Sequence, residues 1–245
     1  MKKGSIFEYS ETGPREENED SVGVKVYTKN ILAVLADGLG GQEDGKAASG
    51  LIVENLLLCG QEEEFPDTDQ IRSAIFYAND AILQRRQGDS GMKSTAVYLC
   101  IGEDRAIWAH TGDSRLYHFY GKTEDQYEMK EYTLDHSIPQ LAVYMGEITR
   151  EEIRSHPGRN RLIHVLGVED PYCVVAEPVR LDPGYHAFLL CSDGFWECME
   201  EENFCQQLQE KQAAEDWILS MVQKAQQDGK EFQDNYSAIG ILLEV

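Results

Sequence analysis

The run ILAVLA at 31–36 is unbroken hydrophobic chain that stops on Asp37, with Gly38, Gly40 and Gly41 close behind it. A short run with no polar alternation, bounded by glycines, reads as a strand covered on both faces. Such a strand needs other layers packed against it, and that requirement narrows the fold more than any other feature of the chain. The acid at its end needs a separate explanation. Asp-Gly is a common turn signal, yet the arrangement recurs. Asp113 sits in HTGDSRLY between two strand-like runs, Asp193-Gly194 follows HAFLLCS, Asp234-Asn235 precedes the final apolar run, and Glu19-Asp20 precedes a strand from Ser21.

Strand-length apolar runs occur at 21–27, 30–36, 94–102, 105–112, 114–120, 172–181, 186–192 and 237–245. Their close spacing suggests hairpins in antiparallel sheets. Helical patterns occupy 44–59, 67–86 and 213–228. In the second, Ile71, Ile75, Ala78 and Ile82 form one stripe behind an Asp67/Thr68 start; in the third, Trp217, Met221 and Ala225 recur at spacing four. Helices grouped between blocks of strands indicate an α+β unit with layers of both kinds. No linker or repeat divides 1–245, so one domain is expected, with an irregular surface flap over 137–157 that carries short helical patterns.

Carboxylates brought to adjacent strand ends, about 5 Å apart, repel one another unless a cation lies between them. All-oxygen ligation selects Mg²⁺ or Mn²⁺. Two such ions about 3.5–4 Å apart can activate a water and clamp a phosphate, and glycine beside an acid permits close backbone approach. From the pattern alone the acids remain either turns or ligands.

Charge removes some partners. Lys plus Arg number 22 and Asp plus Glu 44, a net −22, which repels nucleic acid and anionic lipid. The six cysteines are widely spaced without a C-x-x-C pair, which argues against a zinc or disulfide framework. MKKGSIFEYSETG lacks the apolar stretch of a signal peptide, and no run approaches the ~20 residues of a membrane span. A cytoplasmic protein is expected.

Read in order, REENEDS, LADGLGG, AHTGDSRLY, TLDHS, LLCSDGFWE and DNYSAIG resemble the successive motifs of the metal-dependent PP2C (PPM) family of Ser/Thr phosphatases, the bacterial branch above all. GMKSTAV and RNRLIHVLG are similar to weaker family stretches. The resemblance runs from Arg15 to the C-terminus. It implies an α-β-β-α sandwich of two antiparallel sheets flanked by helices, with a dinuclear Mn²⁺ or Mg²⁺ centre at one end. It further implies that Asp37 bridges both ions and that Gly38 lends its carbonyl to one. Asp193 and Asp234 complete a shell, and Glu19 and Asp20 bind directly or through water. Asp113 helps hold a weaker third ion, and Arg15 binds the substrate phosphate, where a planar guanidinium suits two phosphoryl oxygens.

The implied reaction is hydrolysis of phosphoserine and phosphothreonine by direct attack of a water bridging the ions, with no phosphoenzyme. The implied partners are phosphorylated proteins, those of a cognate Ser/Thr kinase, and a monomer is expected. Arg115, two residues after Asp113, suits a structural salt bridge better than substrate contact, and His136 is left outside the catalytic set as a structural histidine. Some members carry a proton-donating histidine where this chain has Leu39, which leaves a metal-bound water as the expected donor. Gln42 stands where bacterial relatives have histidine, and Lys93 replaces a glycine. The alternative is a catalytically weak PP2C-like regulatory or phosphoprotein-binding module; the complete acid set argues for the enzyme.

Overall fold

The computed structural model describes residues 3–40, 43–62, 64–86, 88, 90–209, 211 and 213–245, without the side chains of Lys3 and Glu43. Gln42 and Gly41 therefore lie outside the described residues. Three strands open the chain: β1 (Lys3–Glu11), β2 (Asp20–Val26) and β3 (Ile31–Leu39). Helices α1 (Glu43–Leu58) and α2 (Thr68–Arg85) follow, then β4 (Lys93–Ser94), β5 (Ala96–Ile101), β6 (Arg105–Thr111), β7 (Arg115–Gly121) and β8 (Tyr127–Tyr132). The flap holds α3 (Ile138–Tyr144) and a 3-10 turn (Glu151–Ile153). The chain closes with β9 (Val174–Val175), β10 (Val179–Arg180), β11 (Tyr185–Cys191), α4 (Asp193–Trp196), α5 (Glu201–Leu208), α6 (Ala214–Gln227) and β12 (Tyr236–Glu244).

The strands form two sheets, β1-β12-β11-β7-β8 and β10-β6-β5-β3-β2, with β4 added to β3 and β9 to β6; every pairing is antiparallel. Period-two geometry makes the layers. Along β3, Leu32, Val34 and Ala36 face α1 and α2, while Ile31, Ala33 and Leu35 face the second sheet. Along β11, Phe188 and Leu190 face inward, and Ala187, Leu189 and Cys191 pack against α5 and α6 through residues such as Phe204, Trp217 and Met221. The outcome is the α-β-β-α sandwich, and β3 is indeed covered on both faces. Each large apolar side chain so buried contributes about 1.5–3 kcal/mol. Among the described residues no helix is long and apolar enough to cross a membrane.

The structure adjusts the expected elements in several places. Strands β1 and β8 and helices α4 and α5 were not anticipated. β8 alternates exposed charges with little apolar content, which weakens any strand pattern, and α4 is only Asp193–Trp196. The run 172–181 is two short pieces interrupted at Pro178 rather than one strand, since proline cannot donate to a ladder. β6 and β7 are not a hairpin: they belong to different sheets, and Asp113 sits where the chain crosses between them.

Candidate active site

Two of the acids lie on strands, on the side that faces the other sheet, and the rest flank strand ends. Asp37 continues the inward series of Ile31, Ala33 and Leu35, and Asp20 is its cross-strand partner on β2. Neither matches its expected boundary: Asp20 opens β2, and β3 runs past Asp37 to Leu39 because Gly38 and Leu39 pair with Ser94 and Lys93 of β4. From the other sheet, Asp193 follows β11 as the first residue of α4, and Asp234 lies two residues before β12. Asp113 reaches in from the crossing turn. Glu19 immediately precedes Asp20.

Their mutual influence marks the convergence. Loss of solvent drives the Asp37 carboxyl well above the ordinary carboxylate range, and Asp20, Asp193, Asp113 and Asp234 push it further the same way. Asp193 is raised by the same loss and by Asp113, Glu197, Asp234 and Asp20. Burial lifts Asp113 to about 8 and Asp20 to about 6, although a hydrogen bond from the Ser192 hydroxyl (2.8 Å) opposes the shift at Asp20. Glu19 is raised by burial, then by Asp234 and Glu17.

Neighbouring groups hold these acids in place. Thr95 brackets the Asp37 backbone: its hydroxyl accepts from the Asp37 N–H (2.9 Å) and its own N–H donates to the Asp37 carbonyl (2.8 Å). The Ser94 hydroxyl donates to the same carbonyl (2.9 Å). Ser192 links Asp20 to the second sheet, since its hydroxyl also accepts from the Ser237 N–H (3.0 Å). Asn235 accepts from the Glu19 N–H (2.9 Å) and donates to the carbonyls of Thr12 and Glu17, tying the β1–β2 loop to the start of β12. The Trp196 indole donates to the Asp113 carbonyl (2.9 Å). Sequence reasoning missed Ser192, Thr95, Asn235 and Trp196 as supports, although each stands inside a motif that it singled out.

Two glycines are required by contact. A Cβ on Gly38 would overlap the Gly45 carbonyl of α1 and crowd that of Glu19, and one on Gly194 would overlap the Asn235 carbonyl. Arg15 does arrive at the rim, half exposed, but its guanidinium is engaged with Asp234 at 2.6 Å. Arg115 is buried in a bidentate pair with Asp135 (2.7 and 2.8 Å) and lies over the Trp196 ring, a structural role. His136 stacks on His110, and its Nδ1 accepts from the Gly112 N–H (3.3 Å), which is likewise structural.

The donor set fits hard divalent ions in kind: it is all oxygen and densely anionic. Among the described residues, Glu19 Oε1 and Asp20 Oδ1 are buried without a hydrogen-bond partner, a costly state that a cation relieves. Among the described residues, no three His, Cys, Asp or Glu side chains close around one point as they stand.

No protein-family model matches the chain. A 2C-type protein phosphatase of Streptococcus pyogenes is 35% identical over 194 residues, 74% of each chain. The chain belongs to the bacterial PP2C-type serine/threonine protein phosphatases. The Listeria monocytogenes serine/threonine phosphatase stp is 29% identical over 92% of this phosphatase and 90% of its own length. The crystal structure of the Mycobacterium tuberculosis serine/threonine phosphatase PstP/Ppp superposes with a TM-score of 0.82 at 27% identity, over 99% of both chains. The catalytic domain of PstP in complex with 2 manganese ions shares the fold, with a TM-score of 0.79 at 24% identity.

Proposed function

We propose that this phosphatase, acting as one domain over 1–245, hydrolyses phosphoserine and phosphothreonine in proteins with two Mn²⁺ or Mg²⁺ ions held by its acid set. One observation carries the reading: carboxylates from both sheets gather at one rim, raise one another's pKa and include buried oxygens without partners. Asp37, Asp193 and Asp234, the Gly38 carbonyl, and Glu19 with Asp20 would hold the two ions. Asp113 would serve a weaker third. Hard divalent ions in such a place acidify a bound water and draw charge from a phosphoryl group, which permits direct attack on phosphorus.

The remaining contributions belong to the chain. Arg15, now paired with Asp234, stands at the mouth, where its fork can exchange that carboxylate for two phosphoryl oxygens. Thr95 fixes the backbone at Asp37, and Ser192 holds the Asp20 carboxylate, despite the repulsion between the two acids. Leu39 offers no proton, so the one taken by the leaving serine or threonine oxygen would come from a water held at the metal site. The substrates are phosphoproteins of a cognate Ser/Thr kinase in the cytoplasm, and the enzyme acts as a monomer.

The test is phosphate release from a panel of phosphopeptides. Excess EDTA should abolish it, Mn²⁺ should restore it, and Asp37→Asn should lose at least about a hundredfold in kcat. Hydrolysis that persists in excess chelator would overturn the reading.

A further inference from the structure

Large exposed apolar side chains are unevenly distributed over this surface. Leu141 and Tyr144 of α3, with Met145 just after it, lie close to Ile163 and Tyr172 from the segment between the flap and β9 and to Val174 of β9; they are 37–66% exposed. The other exposed large hydrophobics among the described residues, Val26, Leu58, Tyr77 and Met129, sit on four separate elements. Isolated exposed side chains are ordinary, whereas a contiguous patch marks an interaction site.

All of the patch except Met145 lines a single cleft of about 440 Å³, a size typical of binding clefts. Its floor is aromatic and fixed. His110 and His136 stack at 4.6 Å, His164 meets His136 edge-on, and Tyr172 lies 4.4 Å from His164. His110 Nε2 donates to the Leu134 carbonyl (2.8 Å). The floor is also joined to the acid set, because the His136 N–H donates to the Gly112 carbonyl (2.8 Å) and Asp113 follows Gly112. A chain lying in this cleft therefore rests on residues hydrogen-bonded to the turn that carries one of the proposed ligands.

Charge restricts what can lie there. The residues that surround the patch, 138–148 and 161–180, carry exposed Glu147, Glu169, Asp170 and Glu177 against exposed Arg161 and Arg180, an acidic balance. A second copy would bring the same acids and another net −22 to the contact, which opposes dimer formation through this face. A basic partner is attracted.

We infer that the cleft between α3 and the His110–His136–Tyr172 face is a recognition site for the phosphoprotein substrate, taking a large apolar side chain flanked by Lys or Arg at a distance from the phosphorylated residue. This rests on the phosphatase reading of the acid set. An apolar anchor in a desolvated aromatic pocket concentrates binding energy, and the flanking charges set register and speed encounter. Such binding is the same in ground and transition states, so it acts on KM rather than kcat.

The test uses phosphopeptides in which Phe and Arg are moved stepwise away from phosphothreonine, a matched set with Ser at those positions, and p-nitrophenyl phosphate. The wild-type enzyme should prefer the best anchored peptide by about tenfold in kcat/KM, with the difference in KM. Tyr144→Ala and Leu141→Asp, both on the exposed side of α3, should erase that preference and leave p-nitrophenyl phosphate turnover unchanged. No wild-type preference, or a preference that survives in both variants, would overturn the inference. If no phosphate ester is hydrolysed at all, the phosphatase reading fails separately. Fluorescence anisotropy of labelled anchored peptide then decides the cleft: binding weakened by Tyr144→Ala supports it, and equal binding overturns it. A dimer in sedimentation velocity that Leu141→Asp dissociates would also overturn it.

Discussion

Asp37 pays for its position in stability, since a carboxylate short of solvent and facing Asp20, Asp193, Asp113 and Asp234 destabilises the metal-free fold. Asparagine has nearly the same shape without the charge. Asp37→Asn should therefore melt about 2–4 °C higher than wild type in EDTA, the equivalent of ~1 kcal/mol for a chain of this size. Calorimetry at pH 7 checks this, and a lower melting temperature would mean that the carboxylate supports the fold. The acids themselves were legible in the sequence because each sits in local turn chemistry beside Gly, Asn or Ser. Their supports were not. Ser192 donates to a carboxylate 172 positions away, and no local pattern encodes which buried oxygen a hydroxyl will meet. The engagement of Arg15 with Asp234, rather than an open guanidinium, was equally hidden, being a contact across 219 positions.

Elements with strong periodicity were legible, and those without it were not. Helix α2 begins as expected at Thr68 after Asp67, and the structure adds the mechanism, a reciprocal capping box between Asp67 and Gln70. Asp67→Ala should cost about 1 kcal/mol in urea denaturation with no change in turnover. No local pattern indicated that β7 and β11 share a histidine pair. His186 Nε2 donates to the Asp182 carbonyl (2.8 Å), which leaves its Nδ1 to accept from His118 Nε2 (3.0 Å), so the His186 ring is neutral. Burial, then the nearby His186, lowers His118 to about 3. An unfolded histidine takes its proton near 6.5, so below that pH the unfolded chain binds more protons and the fold loses up to about 1.4 kcal/mol per unit from this residue. The His118 contribution should fall between pH 6.5 and 5, opposite in sign to that of the raised rim acids, so His118→Phe should gain stability relative to wild type as pH falls through that window. A variant with the wild-type slope would place the titration elsewhere.

At the scale of the molecule, the acid set is distributed between the two sheets. Asp20 and Asp37 belong to the β2–β3 pair of one, Asp193 and Asp234 flank strands of the other, and Asp113 sits on the crossing. Away from this rim the sheets meet through apolar contacts such as Leu35, Leu99, Phe188 and Ile241. Those contacts followed from the alternation in each run, but which strand joins which sheet did not, because β6 and β7 read as a hairpin and are not one. A cation shared across the rim would bind only the assembled sandwich and so stabilise it by mass action, by about 2.7 kcal/mol at a hundred times its Kd. For this chain length that corresponds to about 5–10 °C. Titration of Mn²⁺ into the chelator-treated protein should raise the melting temperature by that amount. Asp193→Asn, which removes a donor from one sheet while leaving Asp20 and Asp37 in the other, should remove most of the rise. An equal rise in that variant would show that the ion binds one sheet alone, and the cross-sheet centre would have to be abandoned.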